Sequence, residues 1–138
     1  MSTDQLVEAA AAVRGGVVAH LNLTDAAGAA DFYKKALAAK EAARVPAQDG
    51  KRLLHCHLYI NGGSLLLADF FEEHGYAPVP AQGYTLHLQV DDPDPWWDRA
   101  VQAGMTVVMP LEKQFWGDRY GQLRDPWGVS WSIGGRAD

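Results

Sequence analysis

The segment HLNLTD at residues 20–25 returns as HLQVDD at residues 87–92, an offset of 67. At the same offset Asp31 matches Asp98. Identities that recur at one fixed offset indicate an internal duplication, and an offset this long corresponds to a large repeated unit rather than to a solenoid of short repeats. The chain is therefore predicted to contain two copies of one supersecondary unit.

Both copies show the same order of elements, namely a strand, a helix and three further strands. In the first copy Thr24 or Asp25 caps the helix, and Asn61-Gly62 predicts a hairpin because both residues tolerate positive φ. In the second copy Asp92-Pro93 begins the helix and Gly104 ends it. Helices are predicted over about 24–38 and 92–104, and strands over about 17–23, 42–45, 53–60, 64–69, 84–90, 106–109, 119–124 and 129–133.

The predicted organisation is a single α+β domain over residues 1–138, because one domain typically takes about 100–200 residues. An N-terminal helix is predicted within residues 1–15, spanning about 4–13. The first unit is predicted over 16–69 and the second over 84–134. The segment between the two units is rich in glycine and proline and is predicted to be a linker.

Composition is typical of a soluble globular protein. The apolar fraction is 48% and the formal net charge is −5, which gives no support for nucleic-acid binding, since that function needs a basic patch. No run of about 18 apolar residues is present, so no membrane-spanning helix is expected, and the N-terminus lacks the basic region of a signal peptide. Cys56 is the single cysteine, which fits a reducing cytoplasm.

Several motifs resemble those of a known superfamily. They are DAA at 25–27 with DFY at 31–33, DG at 49–50 with His55, LAD at 67–69, HLQVDD at 87–92, QFWGDRYG at 114–121 and DPWG at 125–128. With two tandem βαβββ units, these motifs make the chain similar over about 16–134 to the vicinal oxygen chelate superfamily. That superfamily includes glyoxalase I, extradiol dioxygenases, fosfomycin-resistance enzymes and bleomycin-binding proteins, and the PhnB-like branch is the most similar.

The resemblance implies curled mixed sheets around a cavity, and assembly as a homodimer. Metal-dependent members take one ligand from the first strand and one from the last strand of each unit, usually His and Glu. The corresponding positions fall here on Val18 and Thr85, and near Leu67 and Ser132. None of these residues supplies an imidazole or a carboxylate. No metal ligand and no cofactor are therefore predicted.

A second set of groups keeps a divalent metal open as an alternative. His20 and His87 lie two residues beyond the first-strand positions and share their face, because side chains alternate along a strand. A carboxylate from Asp69 or Glu112 would complete a set of three ligands. The same histidines are also typical of cavity walls, where a neutral imidazole offers one donor and one acceptor, or of a hydrogen-bonded core or interface.

The segment FWGDRY at residues 115–120 combines aromatic side chains with an arginine. Such a combination suits a planar or anionic ligand through stacking and bidentate hydrogen bonds. In the alternative interpretation, Trp116 packs in the core. Asp118 then pairs with Arg119 or Arg124.

His55 and His57 share one face of their strand, and Cys56 lies between them on the other face. The two histidines lie together on one face if the loop at Asn61-Gly62 has two residues, and together on the other face if it has three. The sequence alone does not decide between these registers. Because Cys56 points away from both imidazoles, it is predicted to be a buried inert thiol rather than a nucleophile.

The leading functional prediction is a small-molecule binding protein with a cavity between the two βαβββ units that needs no metal, by similarity to the antibiotic-sequestering members of the superfamily. The residues predicted to contact the ligand are His20, His87, Trp116, Arg119 and Ser132, and no catalytic residue is assigned. One alternative is a divalent-metal-dependent lyase, isomerase or dioxygenase of the same superfamily. The other is a non-catalytic structural or partner-binding dimer. The predicted partners are a small molecule and a second copy of the chain, in the cytoplasm, with no nucleic acid and no membrane.

Overall fold

The computed structural model describes residues 11–136. These residues divide into two compact units, one comprising residues 11–34 and Ala38–Val79, and the other comprising Lys35–Leu37 and residues 80–136. Each unit contains one four-stranded sheet, as the internal duplication predicts. The assignment of both units to a single domain over 1–138 stays a prediction.

The predicted N-terminal helix falls only in part on the described residues. Residues 4–10 of its span lie outside them, and residues 11–15 are irregular rather than helical. The backbone N–H of Arg14 donates to Oγ of Ser64 at 2.7 Å, and its carbonyl accepts from the N–H of Ser64 at 3.0 Å. The helix prediction is therefore wrong for its last turn, because this segment bonds to the first sheet instead.

The first copy of the repeat consists of β1 (His20–Leu23), α1 (Ala26–Leu37), β2 (Lys40–Pro46), β3 (Leu53–Ile60) and β4 (Gly63–Asp69). Its strands lie in the order β1-β4-β3-β2, with β1 parallel to β4 and the other pairs antiparallel. The predicted order of strand, helix and three strands is confirmed. The strand predicted over 17–23 begins later, at His20, so Val18 precedes the sheet.

Asp69 joins three elements of the first unit. Asp25 begins α1 as predicted, with φ of 66° and a side chain that accepts from the N–H of Gly28. The buried carboxylate of Asp69 accepts from the N–H groups of Asp25 and Ala26 through Oδ1, at 2.9 and 3.1 Å. Its Oδ2 accepts from the N–H of Leu53 at 2.6 Å. Because the first amides of a helix lack acceptors within it, Asp69 fixes α1 against the ends of β3 and β4.

Alternation gives the first sheet one buried face and one more open face. Leu21 pairs with Leu67, and both side chains are buried. The preceding pair is His20 and Leu66, which must point to the other face. Burial of one leucine side chain stabilises the fold by about 1.5–3 kcal/mol, so the face that carries Leu21 is held in the core. The face that carries His20 therefore points away from the core.

The second unit repeats this order as β5 (Leu86–Gln89), α2 (Pro93–Ala103), β6 (Thr106–Lys113), β7 (Asp118–Arg124) and β8 (Ser130–Arg136). Its strands lie in the order β5-β8-β7-β6, with β5 parallel to β8. Asp92 caps α2, Pro93 is its first residue, and Gly104 follows its end. These are the predicted signals for the start and end of the helix.

The predicted turn at residues 125–128 is organised by the buried side chain of Asp125. Its Oδ1 accepts from the N–H groups of Trp127 and Val129, at 2.9 and 3.0 Å. Its Oδ2 accepts from the indole N–H of Trp131 at 2.9 Å. The carboxylate thus holds the turn against β8, whose other face is left for the site described below.

β6 is longer than predicted. The sequence prediction ends this strand at Pro110, yet β6 continues to Lys113. β6 lies at the edge of its sheet, and its register with β7 shifts between Met109 and Glu112. A proline is tolerated at such a place because an edge strand or a bulge does not need an N–H group there to pair with a neighbouring strand.

The two helices, α1 and α2, contain 12 and 11 residues. A helix that crosses a membrane needs about 20 apolar residues. Within residues 11–136, no helix is long and apolar enough to do so.

Candidate functional site

A pocket of about 400 Å³ opens on the second unit. Its walls combine hydroxyl, imidazole, amide, carboxylate and aromatic groups. The lining residues are Thr85, His87, Gln89, Trp116, Asp118, Arg119, Tyr120, Ser132 and Gly134. A concave site with a few converging polar groups is typical of small-molecule binding.

Strand register explains why residues distant in sequence meet in this pocket. His87 of β5 and Gln122 of β7 both pair with Ser132 of the central strand β8. Gln89 and Tyr120 likewise both pair with Gly134. Directly paired residues point to the same face of a sheet, so this face carries polar side chains while the opposite face carries Trp131, Leu123 and Ile133 in the core.

The imidazole of His87 is held at both nitrogens. Nδ1 lies 2.7 Å from Oγ of Ser132, and Nε2 lies 2.9 Å from Oε1 of Gln89. With the Gln89 oxygen as acceptor, Nε2 carries a proton, and Nδ1 of the neutral ring accepts the Ser132 hydroxyl proton. The ring also stacks on Tyr120, with centroids 5.8 Å apart and planes 24° apart. These contacts fix the orientation of the His87 ring.

Gly134 provides the space in which the His87 ring lies. A Cβ atom at this position would come within 2.9 Å of Cε1 of His87 and 3.3 Å of the carbonyl oxygen of Arg119. The first distance is shorter than ordinary carbon–carbon contacts. Any side chain at Gly134 would therefore displace the imidazole from this part of the pocket.

Aromatic rings form one side of the pocket. Trp116 is 51% exposed, and its ring stands at 69° to that of Tyr120 with centroids 5.8 Å apart. The neighbouring Phe115 is 97% exposed. The interpretation in which Trp116 packs in the core is therefore wrong, because the loop between β6 and β7 directs this ring to the surface.

The charge of Arg119 is already paired. Its Nη2 donates to Oδ1 of Asp94, near the start of α2, at 2.6 Å. This hydrogen bond raises the pKa of the Arg119 guanidinium and lowers the pKa of the Asp94 carboxyl. Asp92, which caps the same helix, adds further attraction for the Arg119 charge. Arg119 thus contributes to the pocket as a residue whose charge is already paired on the helix side of β7.

Asp118 lines the same pocket as a half-buried carboxylate. The sequence suggests Arg119 or Arg124 as its partner, but Arg119 pairs with Asp94 and Arg124 donates to the carbonyl of Gly128. Within residues 11–136, no side chain donates a hydrogen bond to the Asp118 carboxylate. Both carboxylate oxygens of Asp118 are therefore available to a ligand.

Four of the five residues predicted to contact a ligand line this pocket, namely His87, Trp116, Arg119 and Ser132. The fifth, His20, is exposed on β1 of the first unit, where its charge helps to lower the pKa of His55. The structure brings the first four together, and the role of all five in binding stays a prediction.

Sequence reasoning did not assign five of the lining residues as ligand contacts, namely Thr85, Gln89, Asp118, Tyr120 and Gly134. Gln89 is two residues from His87, so strand alternation alone could have found it. Tyr120 belongs to the aromatic segment 115–120, but its face depends on the register of β7. Gly134 gave no signal, because its contribution is the absence of a side chain.

The groups considered for a metal do not converge. Leu67 and Ser132 were both assigned to the last-strand ligand position, but Leu67 is in the core and the register partner of His20 is Leu66. Asp69 pairs with Leu23 and therefore points to the face opposite His20. Both of its oxygens already accept backbone N–H groups, so Asp69 does not fit as a ligand.

Other candidate ligands give the same result. Glu112 is exposed on β6 and does not line the pocket. Among residues 11–136, no three His, Cys, Asp or Glu side chains lie close enough to hold a metal ion together. The donor groups of residues 11–136 therefore do not fit a metal site of the His and Glu type that the resemblance implies.

The register of the β3–β4 hairpin shows which sheet face His57 and Cys56 occupy. Tyr59 pairs with Ser64 and His57 with Leu66, which corresponds to the two-residue Asn61-Gly62 loop. His57 is thus on the face of His20, and its Nε2 lies 2.7 Å from Oγ of Ser64. Cys56 is fully buried on the other face, and burial raises its pKa to about 11, as expected for an inert thiol.

Comparison with known proteins places these features in a family. The model of the "Glyoxalase/Bleomycin resistance protein/Dioxygenase superfamily" matches residues 16–133. The uncharacterized protein Mb0911c of Mycobacterium bovis is 47% identical over 121 residues, which cover 83% of this chain and 79% of that protein.

Two solved structures show the same fold. TioX from Micromonospora sp. ML1 has a TM-score of 0.72 at 27% identity, covering 88% of this chain and 98% of that one. TnmS3, described as an antibiotic binding protein from Streptomyces sp. CB03234, has a TM-score of 0.65 at 25% identity, covering 94% and 98%. With the family match over two βαβββ units, these findings show that the chain belongs to the glyoxalase/bleomycin resistance protein/dioxygenase superfamily.

Proposed function

We propose that the protein binds an organic small molecule of the antibiotic type in the pocket of its second unit and does not transform it. The observation that carries this proposal is the fixed imidazole of His87, held by Ser132 and Gln89 inside a pocket of about 400 Å³. A ring whose orientation is fixed before binding lowers the entropic cost of capturing a ligand. The similarity to TnmS3, an antibiotic binding protein, supports the same function.

We further propose that binding needs no metal. The support is chemical, because Val18 and Leu67 cannot coordinate, and Thr85 and Ser132 offer only hydroxyl groups. Those hydroxyls are engaged elsewhere, Thr85 with Ser130 at 2.9 Å and Ser132 with His87. Ligand binding is accordingly expected to be unchanged after dialysis against a strong chelator, and loss of binding on such treatment would contradict this proposal.

We also propose that the chain belongs to the PhnB-like branch and acts as a homodimer in the cytoplasm. The support for the branch is the pair of motifs at residues 114–121 and 125–128. The resemblance to the superfamily supports pairing of two chains, and the free buried thiol of Cys56 suits a reducing compartment. Light scattering after size-exclusion chromatography measures the mass directly, and a monomer at micromolar concentration would contradict the homodimer.

A substitution that reduces the space in the pocket tests whether the ligand binds there. In Gly134→Ala the added methyl group would displace the His87 ring, so ligand binding should fall by about fivefold or more, as expected when the ring that a ligand packs against is moved. Gly63→Ala is the matched control, because the same change in a strand of the first unit meets only the carbonyl of Ile60 at 3.8 Å. Thermal shift with a panel of aromatic antibiotics identifies ligands, and titration calorimetry compares the two variants.

Turnover is measured on the same samples. After incubation with the protein, the recovered ligand should have an unchanged mass and a stoichiometry of one per pocket. Conversion of the ligand would instead favour the enzymatic alternatives. Equal affinities of Gly134→Ala and Gly63→Ala would show that the binding site lies elsewhere.

A further inference from the structure

The pocket contains a carboxylate, that of Asp118, for which residues 11–136 supply no ion pair. Asp118 is the first residue of β7 and shares its strand face with Tyr120, two residues further along. Its Cα partner across the sheet is Arg136, which is exposed and forms no ion pair with it within the described part of the chain. A half-buried carboxylate at the wall of a pocket attracts a positively charged donor.

The arginine of the pocket does not offset this charge. The guanidinium of Arg119 is bonded to Asp94 at 2.6 Å and is further attracted by Asp92. Asp118 directly precedes Arg119 on β7, so its carboxylate lies on the strand face opposite to this ion pair. An anionic ligand in the pocket would lie beside the Asp118 carboxylate, and the paired Arg119 offers it no free charge, so its binding is disfavoured by charge repulsion.

Aromatic rings adjoin the free carboxylate. Trp116 lies two residues before Asp118 and is half exposed. The ring of Tyr120 stands at 69° to the ring of Trp116, with centroids 5.8 Å apart. The electron-rich face of an indole attracts cations as well as flat apolar rings. A flat ring that bears a positive charge therefore satisfies both Trp116 and Asp118.

We propose that the ligand class is a planar aromatic cation, whose protonated ring nitrogen or amine binds Asp118 while its ring stacks on Trp116. This inference rests on the proposed function, since it names the chemistry of the molecule that the same pocket takes. His87, fixed by Ser132 and Gln89, offers the ligand its ring face, because both of its nitrogens are already bonded.

Two probes with the same ring system and opposite charge test the charge preference. Proflavine is a planar acridine cation and acridine-9-carboxylate is its anionic counterpart, and binding of both is followed by fluorescence at near-physiological salt. The wild-type protein should bind the cation at least about tenfold more tightly, the ratio expected for one charge-assisted hydrogen bond. Equal binding, or tighter binding of the anion, overturns the ligand class and leaves the small-molecule function intact. Binding of neither probe overturns both.

Variants assign the preference to one residue. Asp118→Asn should weaken cation binding by about tenfold and leave the affinity for the anion unchanged or higher. Asp98→Asn, on the exposed side of α2, is the matched control, since it removes the same charge from the same unit outside the pocket. Equal losses in the two variants, or no loss in Asp118→Asn, would overturn the role of Asp118. Melting curves confirm that each variant is folded, and the comparison of probes on wild-type protein does not depend on any variant.

Discussion

Oγ of Ser132 lies 2.7 Å from Nδ1 of His87, although 45 residues separate them in the sequence. The parallel register of β5 and β8 places the two residues opposite each other, so the contact follows from the sheet rather than from a flexible loop. Because Ser132 is 1% exposed, its hydroxyl has little access to water and acts mainly as an anchor for the imidazole.

We expect Ser132→Ala to weaken ligand binding by about fivefold, the equivalent of a net hydrogen bond of about 1 kcal/mol. The loss arises because the His87 ring keeps only its bond to Gln89 and samples other orientations. Titration calorimetry measures the effect. Ser130→Ala is the matched control on the same strand, since Ser130 bonds Thr85 instead of His87, and an equal loss in that variant would contradict the anchoring role.

Asp69→Asn should lower the free energy of unfolding by about 2–3 kcal/mol. The carboxylate accepts three backbone N–H groups, and the amide presents its own NH₂ to at least one of these donors. Urea denaturation measures the change. The exposed Asp98→Asn gives the baseline for loss of an aspartate charge. A loss of less than about 0.5 kcal/mol would show that the first unit does not depend on this buried acceptor.

Acidification should destabilise the first unit through His57. Burial, the charge of His55 and that of Arg14 lower the pKa of His57. An unfolded histidine binds its proton near pH 6.5, so the folded state takes up fewer protons than the unfolded state just below that pH. The stabilisation is therefore present above about pH 6.5 and is lost as the pH falls towards the lowered value.

Urea midpoints between about pH 7.5 and about pH 5 test this dependence on His57. The wild-type protein should lose stability as the pH falls, and His57→Gln should show a shallower decline. Part of the slope remains in that variant, because burial and the charge of His20 also lower the pKa of His55. Identical slopes for the two proteins would rule out His57 as the cause.

Cys56 should resist alkylation in the native protein. Its side chain is fully buried and burial raises its pKa to about 11, so at about pH 8 almost no thiolate is present. Mass spectrometry after exposure to iodoacetamide should show unmodified protein without denaturant and one adduct in urea. Rapid labelling of the folded protein would mean that β3 opens locally.

The sequence predicted most elements because each has its own local signal. The Asp92-Pro93 start and Gly104 end of α2 are set by backbone chemistry that neighbouring strands do not alter. β3 lies at Leu53–Ile60 as predicted, since an alternating apolar run is bounded by a turn on each side. Pro110 misled the prediction, because whether a proline interrupts a strand depends on its position at the sheet edge.

The site was harder to predict, because it depends on register. The first unit has one more residue than the second between the paired positions of its first and last strands, which are His20 with Leu66 and His87 with Ser132. A shift of one residue exchanges the two faces of a strand, which is why Leu67 was mistaken for the counterpart of Ser132. The ion pair of Arg119 with Asp94 likewise joins a strand to a helix that no sequence spacing connects.

The two copies of the repeat differ at the position of Gly134. Gln89 pairs with Gly134 in the second sheet, and Asn22 pairs with Ala68 in the first. One methyl group thus marks the place where the second copy accommodates an imidazole lying across the strand. In the first copy the methyl group of Ala68 occupies that place. Ala68→Gly is accordingly the first change to make in this scaffold for anyone who wishes to give the first sheet the same space for a ring.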